Sequence, residues 1–213
     1  MPADRIAGCK ATVVGVGAIG RQVALELAAM GISWLGISWL QLTDFDLIEA
    51  SNLASQGYLE QDLDKPKVAA TGELCLRINS GIKSHTMPER FRRSMKIGDV
   101  VFCCVDKIDI RKLIWETVKD KVNFFCDGRM TAEVLRILTA CDPPSRKHYP
   151  TTLFQVGEAF IGPCTAKTTI YCANIAAGLM IAQFTRYLRH LPVDCDIQLN
   201  LLTSELSVAE ACR

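Results

Sequence analysis

The sequence predicts an α/β domain of doubly wound type, a mostly parallel sheet with helices on both faces. Three observations carry this expectation. Short β-branched or apolar runs alternate with helix-length periodic segments along the chain. The run Val100-Val101-Phe102-Cys103-Cys104-Val105 is apolar at every position, the pattern of a strand buried on both faces. A first strand also ends in a glycine-rich turn that opens at once into a helix. At 213 residues the chain suits one domain with a core that needs no staples.

The elements follow in order. Residues 11–14 form a first strand, and residues 18–30 a helix stopped by Gly31. Residues 40–45 form a second strand ending in acids. Residues 67–79 are helical, with Pro66 just ahead. Residues 99–105 form the buried strand, and residues 110–121 an amphipathic helix. Residues 123–126 and 133–140 are further strands, 168–188 a long apolar helix, and 197–202 a closing strand. Residues 142–163 hold four prolines and the basic triplet Arg146-Lys147-His148, and read as a mobile crossover loop or flap. Gly31-Ile32-Ser33-Trp34-Leu35 is repeated at once as Gly36-Ile37-Ser38-Trp39-Leu40. Five is odd, so both copies in one strand would reverse its facing pattern; one copy is expected to bulge into the loop, leaving two exposed tryptophans.

Composition excludes several classes. Lys+Arg is 24 against Asp+Glu 23, a formal net charge of +1 that argues against a nucleic-acid binder working by bulk charge. Apolar residues make up 49% and charged residues 22%, which suits a folded chain and not a disordered one. None of the ten cysteines is spaced CxxC, so a zinc ribbon or thioredoxin-type site is not expected. Free thiols in a reducing compartment are expected instead, and Met1-Pro2-Ala3-Asp4-Arg5 does not read as a signal peptide, so the expected place is cytoplasmic. The uncharged stretches 27–43 and 168–185 are too polar to read as membrane spans.

Gly15-Val16-Gly17-Ala18-Ile19-Gly20 carries the first chemistry. Its glycines allow a tight turn and close backbone approach to phosphate, and the helix N-terminus supplies unpaired N–H groups. Asp44 lies 24 residues past Gly20, or 19 once the duplicated five are subtracted, close to the spacing of a ribose-binding carboxylate. The loop alone does not separate NAD from ATP. The segment after the acid does. Asp46, Asn52, Gln56 and Lys67 follow, a set of carboxylate, amide and ammonium groups that a dehydrogenase does not need and a metal-bound triphosphate does.

In these motifs the chain resembles the ThiF/MoeB family, relatives of ubiquitin-activating enzymes. The matching residues are Gly15, Gly17, Gly20, Asp44-Phe45-Asp46, Ser51-Asn52-Leu53, Gln56, Pro66-Lys67-Val68, Ile78-Asn79, and Asp106 with Arg111. The resemblance implies a Rossmann-like fold and Mg-ATP-dependent adenylation of the C-terminal carboxylate of a small ubiquitin-like or sulfur-carrier protein. It implies that Gly15, Gly17, Ala18, Ile19, Gly20 and Asp44 hold the nucleotide. Asp46 would belong to the same nucleotide-binding set, Asn52, Gln56 and Lys67 would face the triphosphate, Asp106 would hold magnesium, and the chain would work as a homodimer. Ser55 stands where the family usually has an arginine aimed at the phosphates; Arg21, Arg5 of a neighbouring subunit or Arg129 are candidates to replace it. That departure keeps two alternatives open: a pseudo-enzyme that binds nucleotide or carrier without reacting, and an NAD-dependent oxidoreductase.

Cys164 precedes the long helix, and a thiol at a helix N-terminus is activated. Cys164-Thr165 also resembles the thioester-bearing Cys-Thr pair of ubiquitin-activating enzymes. A buried cysteine under the flap is the competing reading, and Cys172 is a second candidate. His85, His148 and His190 show no ligand spacing, and Arg90, Arg92, Arg93 and Lys96 read as a solvated face or a docking patch for an acidic carrier.

Overall fold

The apolar run at Val100 lies in the middle of one sheet. In the computed structural model, residues 9–32, 37–154 and 170–209 are described. Among these, β1 (Cys9–Val14), β2 (Ile37–Thr43), β3 (Lys83–Met87), β4 (Val100–Cys103), β5 (Phe124–Thr131), β6 (Val134–Ala140), β7 (Asp196–Asn200) and β8 (Glu205–Val208) pair in the order β3-β2-β1-β4-β5-β6-β7-β8. The pairs from β3 to β5 are parallel and those from β5 to β8 antiparallel. The chain leaves β1 toward β2 and returns to its other side as β4. That reversal opens the crevice at the carboxyl ends where doubly wound sheets bind ligands.

Helices α1 (Ala18–Ile32), α3 (Lys67–Ile78) and α6 (Ile170–Leu188) cover one face, and α4 (Ile108–Val118) and α5 (Pro143–His148) the other. The pleat of β4 serves both. Val100 and Phe102 join the cluster under α1 and α6, with Phe102 edge-on to Phe184 at 5.5 Å, while Val101 and Cys103 join Ile114, Trp115 and Tyr149. α2 (Ala50–Gln56) buries no residue; Glu49 and Asn52 cap it reciprocally, and Gly57 ends it in the left-handed region.

Three expectations change. The first half of the anticipated flap is ordered structure. Asp142 accepts a hydrogen bond from the Ser145 N–H, Pro143 and Pro144 start α5, and a 3-10 turn over Tyr149–Thr152 follows. Residues 155–163 lie outside the described residues. The repeated pentapeptide gives β2 its start from the second copy, and the register steps from Cys9↔Ile37 to Lys10↔Trp39, a one-residue bulge. Trp39 is half-buried and stacks on His85 at 6.3 Å rather than standing exposed; Trp34 lies outside the described residues. Finally, Cys195 is disulfide-bonded; among the described residues Cys9, Cys75, Cys103, Cys104, Cys126 and Cys141 are free thiols. No described helix is long and apolar enough to cross a membrane.

Candidate functional site

The glycine turn is held from three sides. Gly15 has φ +85°, donates its N–H to Thr43 O at 2.9 Å, and a Cβ there would lie 2.8 Å from the Cys104 backbone. The Val16 N–H donates to Asp44 Oδ2 at 2.6 Å, and the Val16 carbonyl accepts from the Tyr58 hydroxyl at 2.6 Å. The other Asp44 oxygen accepts from the Asp46 N–H at 2.9 Å. Burial raises the Asp44 pKa, against the pull of those two N–H groups and of Lys67. The turn is therefore set before any ligand arrives.

Beyond it the carboxyl ends of β1, β2 and β4 open into a cleft of about 710 Å³. Gly15, Gly17, Ala18, Ile19, Asp44, Asp46, Gln56, Lys67 and Asp106 all line it, so most of the sequence-predicted set is brought together. Gly17 leaves it open: the nearest atom to a Cβ built there is Gln56 Oε1 at 3.9 Å. That Oε1 is buried without a hydrogen-bond partner, so a ligand hydroxyl or amine over Gly17 would satisfy it. Lys67 is 6% exposed at the first position of α3, and its Nζ donates to Asp46 Oδ2 at 3.1 Å.

Two predicted residues stand apart from the cleft lining. Asn52 spends its side chain on the α2 cap, its Oδ1 accepting the Glu49 N–H at 3.0 Å. Gly20 packs against the turn, where a Cβ would lie 1.9 Å from Gly15 O. Cys164 lies outside the described residues. Among the candidates to replace the missing arginine, Arg21 sits over the Tyr58 ring at 4.9 Å, and Arg129 bonds Asp127 at 2.8 Å and Thr152 O at 2.8 Å; neither lines the cleft. Ser55 itself donates to Ser51 O at 2.7 Å. Arg5 lies outside the described residues.

Sequence reading put Arg90 in a basic cluster, a solvated face or docking patch, and did not place it at the cleft, where its guanidinium stacks 3.8 Å from the centre of the Phe45 ring. It follows β3, a strand with no apolar run to announce it. The lining carries Asp44, Asp46, Glu89, Asp106 and Asp109 against Lys67, Arg90, Lys107 and Arg111. It thus has no surplus of positive charge for a bare triphosphate. Burial pushes the thiols of Cys9 and Cys141 up to about 11 and those of Cys75 and Cys126 to about 12, the setting of inert cysteines.

Residues 3–195 match the family model described as ThiF family. The chain belongs to the ThiF family. No curated protein matches it by sequence. Similar solved structures include PaaA, at 18% identity and TM-score 0.77 over 99% of this chain and 66% of that one. E. coli MccB with AMPCPP and MccA gives the same identity, coverage and TM-score, 18%, 99%, 66% and 0.77. E. coli MccB with ATP is 17% identical, TM-score 0.75, over 99% and 66%. The likeness to these structures is one of fold, and the chain spans 66% of the length of each. For a ThiF-family chain, the Rossmann-like sheet and its cleft at the β1–β4 switch are the expected frame.

Proposed function

We propose that this ThiF-family chain adenylates the C-terminal carboxylate of a small acceptor, a ubiquitin-like or sulfur-carrier protein or a short peptide, using Mg-ATP. One observation carries the reading. A preset glycine turn tied to Asp44 shares a cleft with Lys67, Asp106 and the unpartnered Gln56 oxygen. The MccB structures that hold ATP, or AMPCPP with MccA, support it by fold.

The chemistry asks little of the protein. An acceptor carboxylate oxygen attacks the α-phosphorus, the bond to the β-phosphate oxygen breaks, and pyrophosphate leaves with the electron pair. The nucleophile is already ionised, so no base is required. Asp44 takes the ribose hydroxyls, the N–H groups after Gly17 meet the phosphates, and Lys67 neutralises charge as it moves to the leaving group. Asp106 would hold magnesium; no described group of three or more His, Cys, Asp or Glu is placed to bind a metal alone, which suits an ion completed by phosphate oxygens. When bound, magnesium supplies the positive charge that the lining lacks. Cys164 then receives the acyl group as a thioester with release of AMP. The domain spans residues 1–213, pairs as a homodimer and works in the cytoplasm.

ATP–pyrophosphate exchange with magnesium tests this, run with carriers ending in Gly-Gly and with short peptides. Acceptor-dependent exchange that Asp106→Ala lowers by at least about a hundredfold supports it. ATP binding without exchange favours the binding-only reading, to which the uncharged Ser55 and the distant Arg21 and Arg129 point. Binding of NAD in place of ATP overturns it.

A further inference from the structure

Behind the cleft lies a charged cluster that the reaction above does not use. Asp127 is fully buried midway along β5, level with the end of β4 and just before Gly128 of the cleft lining. One oxygen forms an ion pair with Arg111 of α4; the other accepts from Arg129 Nε at 2.8 Å and from the Tyr149 hydroxyl at 2.9 Å. Arg111 also donates to Gly128 O at 3.2 Å and is 5% exposed, yet it lines the cleft. Arg129 faces away and grips the turn after α5, donating to Thr152 O at 2.8 Å and Thr152 Oγ1 at 3.1 Å. The Tyr149 ring is wedged between Trp115 at 4.7 Å and Phe125 at 4.9 Å, which fixes its hydroxyl. Two guanidiniums thus share one carboxylate: Arg129 keeps its charge behind the cleft, and Arg111 is the member of the cluster that reaches the cleft wall.

We propose that Asp127 is a positioning residue: it fixes Arg111 at the cleft wall to meet the anionic groups of the substrates, and Arg129 and Tyr149 in turn fix Asp127. Arg111 then supplies a cation that Ser55 does not. This inference rests on the adenylation reading of the same cleft. A purely structural cluster would stabilise the fold without affecting turnover. A positioning cluster changes turnover in molecules that are fully folded, because displacement of a charged group by about an ångström costs up to about a hundredfold in rate.

Tyr149→Phe removes one hydroxyl and keeps the ring, so it is the first variant; Arg129→Lys, which keeps charge and loses the fork, replaces it if it fails to fold. The assay is magnesium-dependent ATP–pyrophosphate exchange, with thermal melting as the measure of folding. The expected result is a roughly tenfold loss in kcat, KM for ATP within about threefold of wild type, and a near-wild-type melt. Arg111→Lys is combined with it in a double-mutant cycle. If Asp127 acts through Arg111, the double variant is no slower than Arg111→Lys alone. Unchanged kcat in the folded single variant, or losses that multiply in the double, overturn the inference and leave the adenylation reading standing. Wild-type protein that binds no ATP and exchanges none overturns both.

Discussion

Gly17 and Gly20 predict opposite phenotypes from the same substitution. A Cβ on Gly17 meets nothing closer than 3.9 Å, so Gly17→Ala folds normally but pushes a methyl into the cleft beside Gln56, the space proposed for the nucleotide. Its melting temperature stays within about 2 °C of wild type, while ATP affinity by calorimetry falls by at least about tenfold. A Cβ on Gly20 collides with Gly15 O at 1.9 Å, so Gly20→Ala displaces the turn and costs about 3 kcal/mol in denaturant unfolding. Equal effects on both readouts would contradict this assignment. Lys67 adds a third case. Its buried Nζ has Asp46 as partner at 3.1 Å, so Lys67→Met keeps the methylene packing and removes the charge. Exchange turnover is expected to fall about a hundredfold, with little change in melting.

At the scale of the element, α5 hangs on its cap. Asp142 accepts the Ser145 N–H at 2.9 Å, and Asp142→Ala is expected to lower unfolding free energy by about 1 kcal/mol in urea titration. No loss would mean that the prolines alone hold the helix start. The same helix shows why parts of the fold escaped the sequence. Pro143-Pro144 signals a loop unless the Asp142-x-x-Ser145 cap is read with it. β4 was legible because both its faces are buried, and every residue says so. β3 (Lys-Ser-His-Thr-Met) and α2, which buries nothing, carry no periodicity to read. Within the site, the glycine loop, Asp44 and Lys67 were legible from local spacing and residue type, and Asp106 through the family resemblance. Arg111 and Arg129 were singled out as well, but their shared pairing with Asp127 and the Tyr149 bond were not legible, since these join residues up to 22 apart through tertiary packing. Asn52 shows the limit of motif reading, its side chain capping a helix beside the cleft.

Across the whole molecule, the antiparallel half of the sheet is tied by a carboxylate of its own. Burial pushes the Asp196 pKa up, but Arg136 at 2.9 and 2.7 Å and His148 at 2.9 Å overrule it, and its carboxyl lies below the usual range. A folded pKa below the unfolded value near 4 gives stability that is fully present above about pH 4 and lost as pH falls through the folded value. The gap in unfolding free energy between wild type and Asp196→Asn should therefore be wide at about pH 5 and narrow steadily as pH falls below about 4. A gap that does not narrow with acid would contradict the assignment. The parallel half, with its cleft at the β1–β4 switch, is where the proposed adenylation would take place. The most direct test of that activity follows the α-phosphorus. ATP labelled there is incubated with magnesium, the protein and each acceptor, and hydroxylamine is added to trap activated carboxylates. The account predicts acceptor hydroxamate in step with labelled AMP, both lost in Asp106→Ala. Labelled AMP without hydroxamate, or release of γ-phosphate alone, would contradict it.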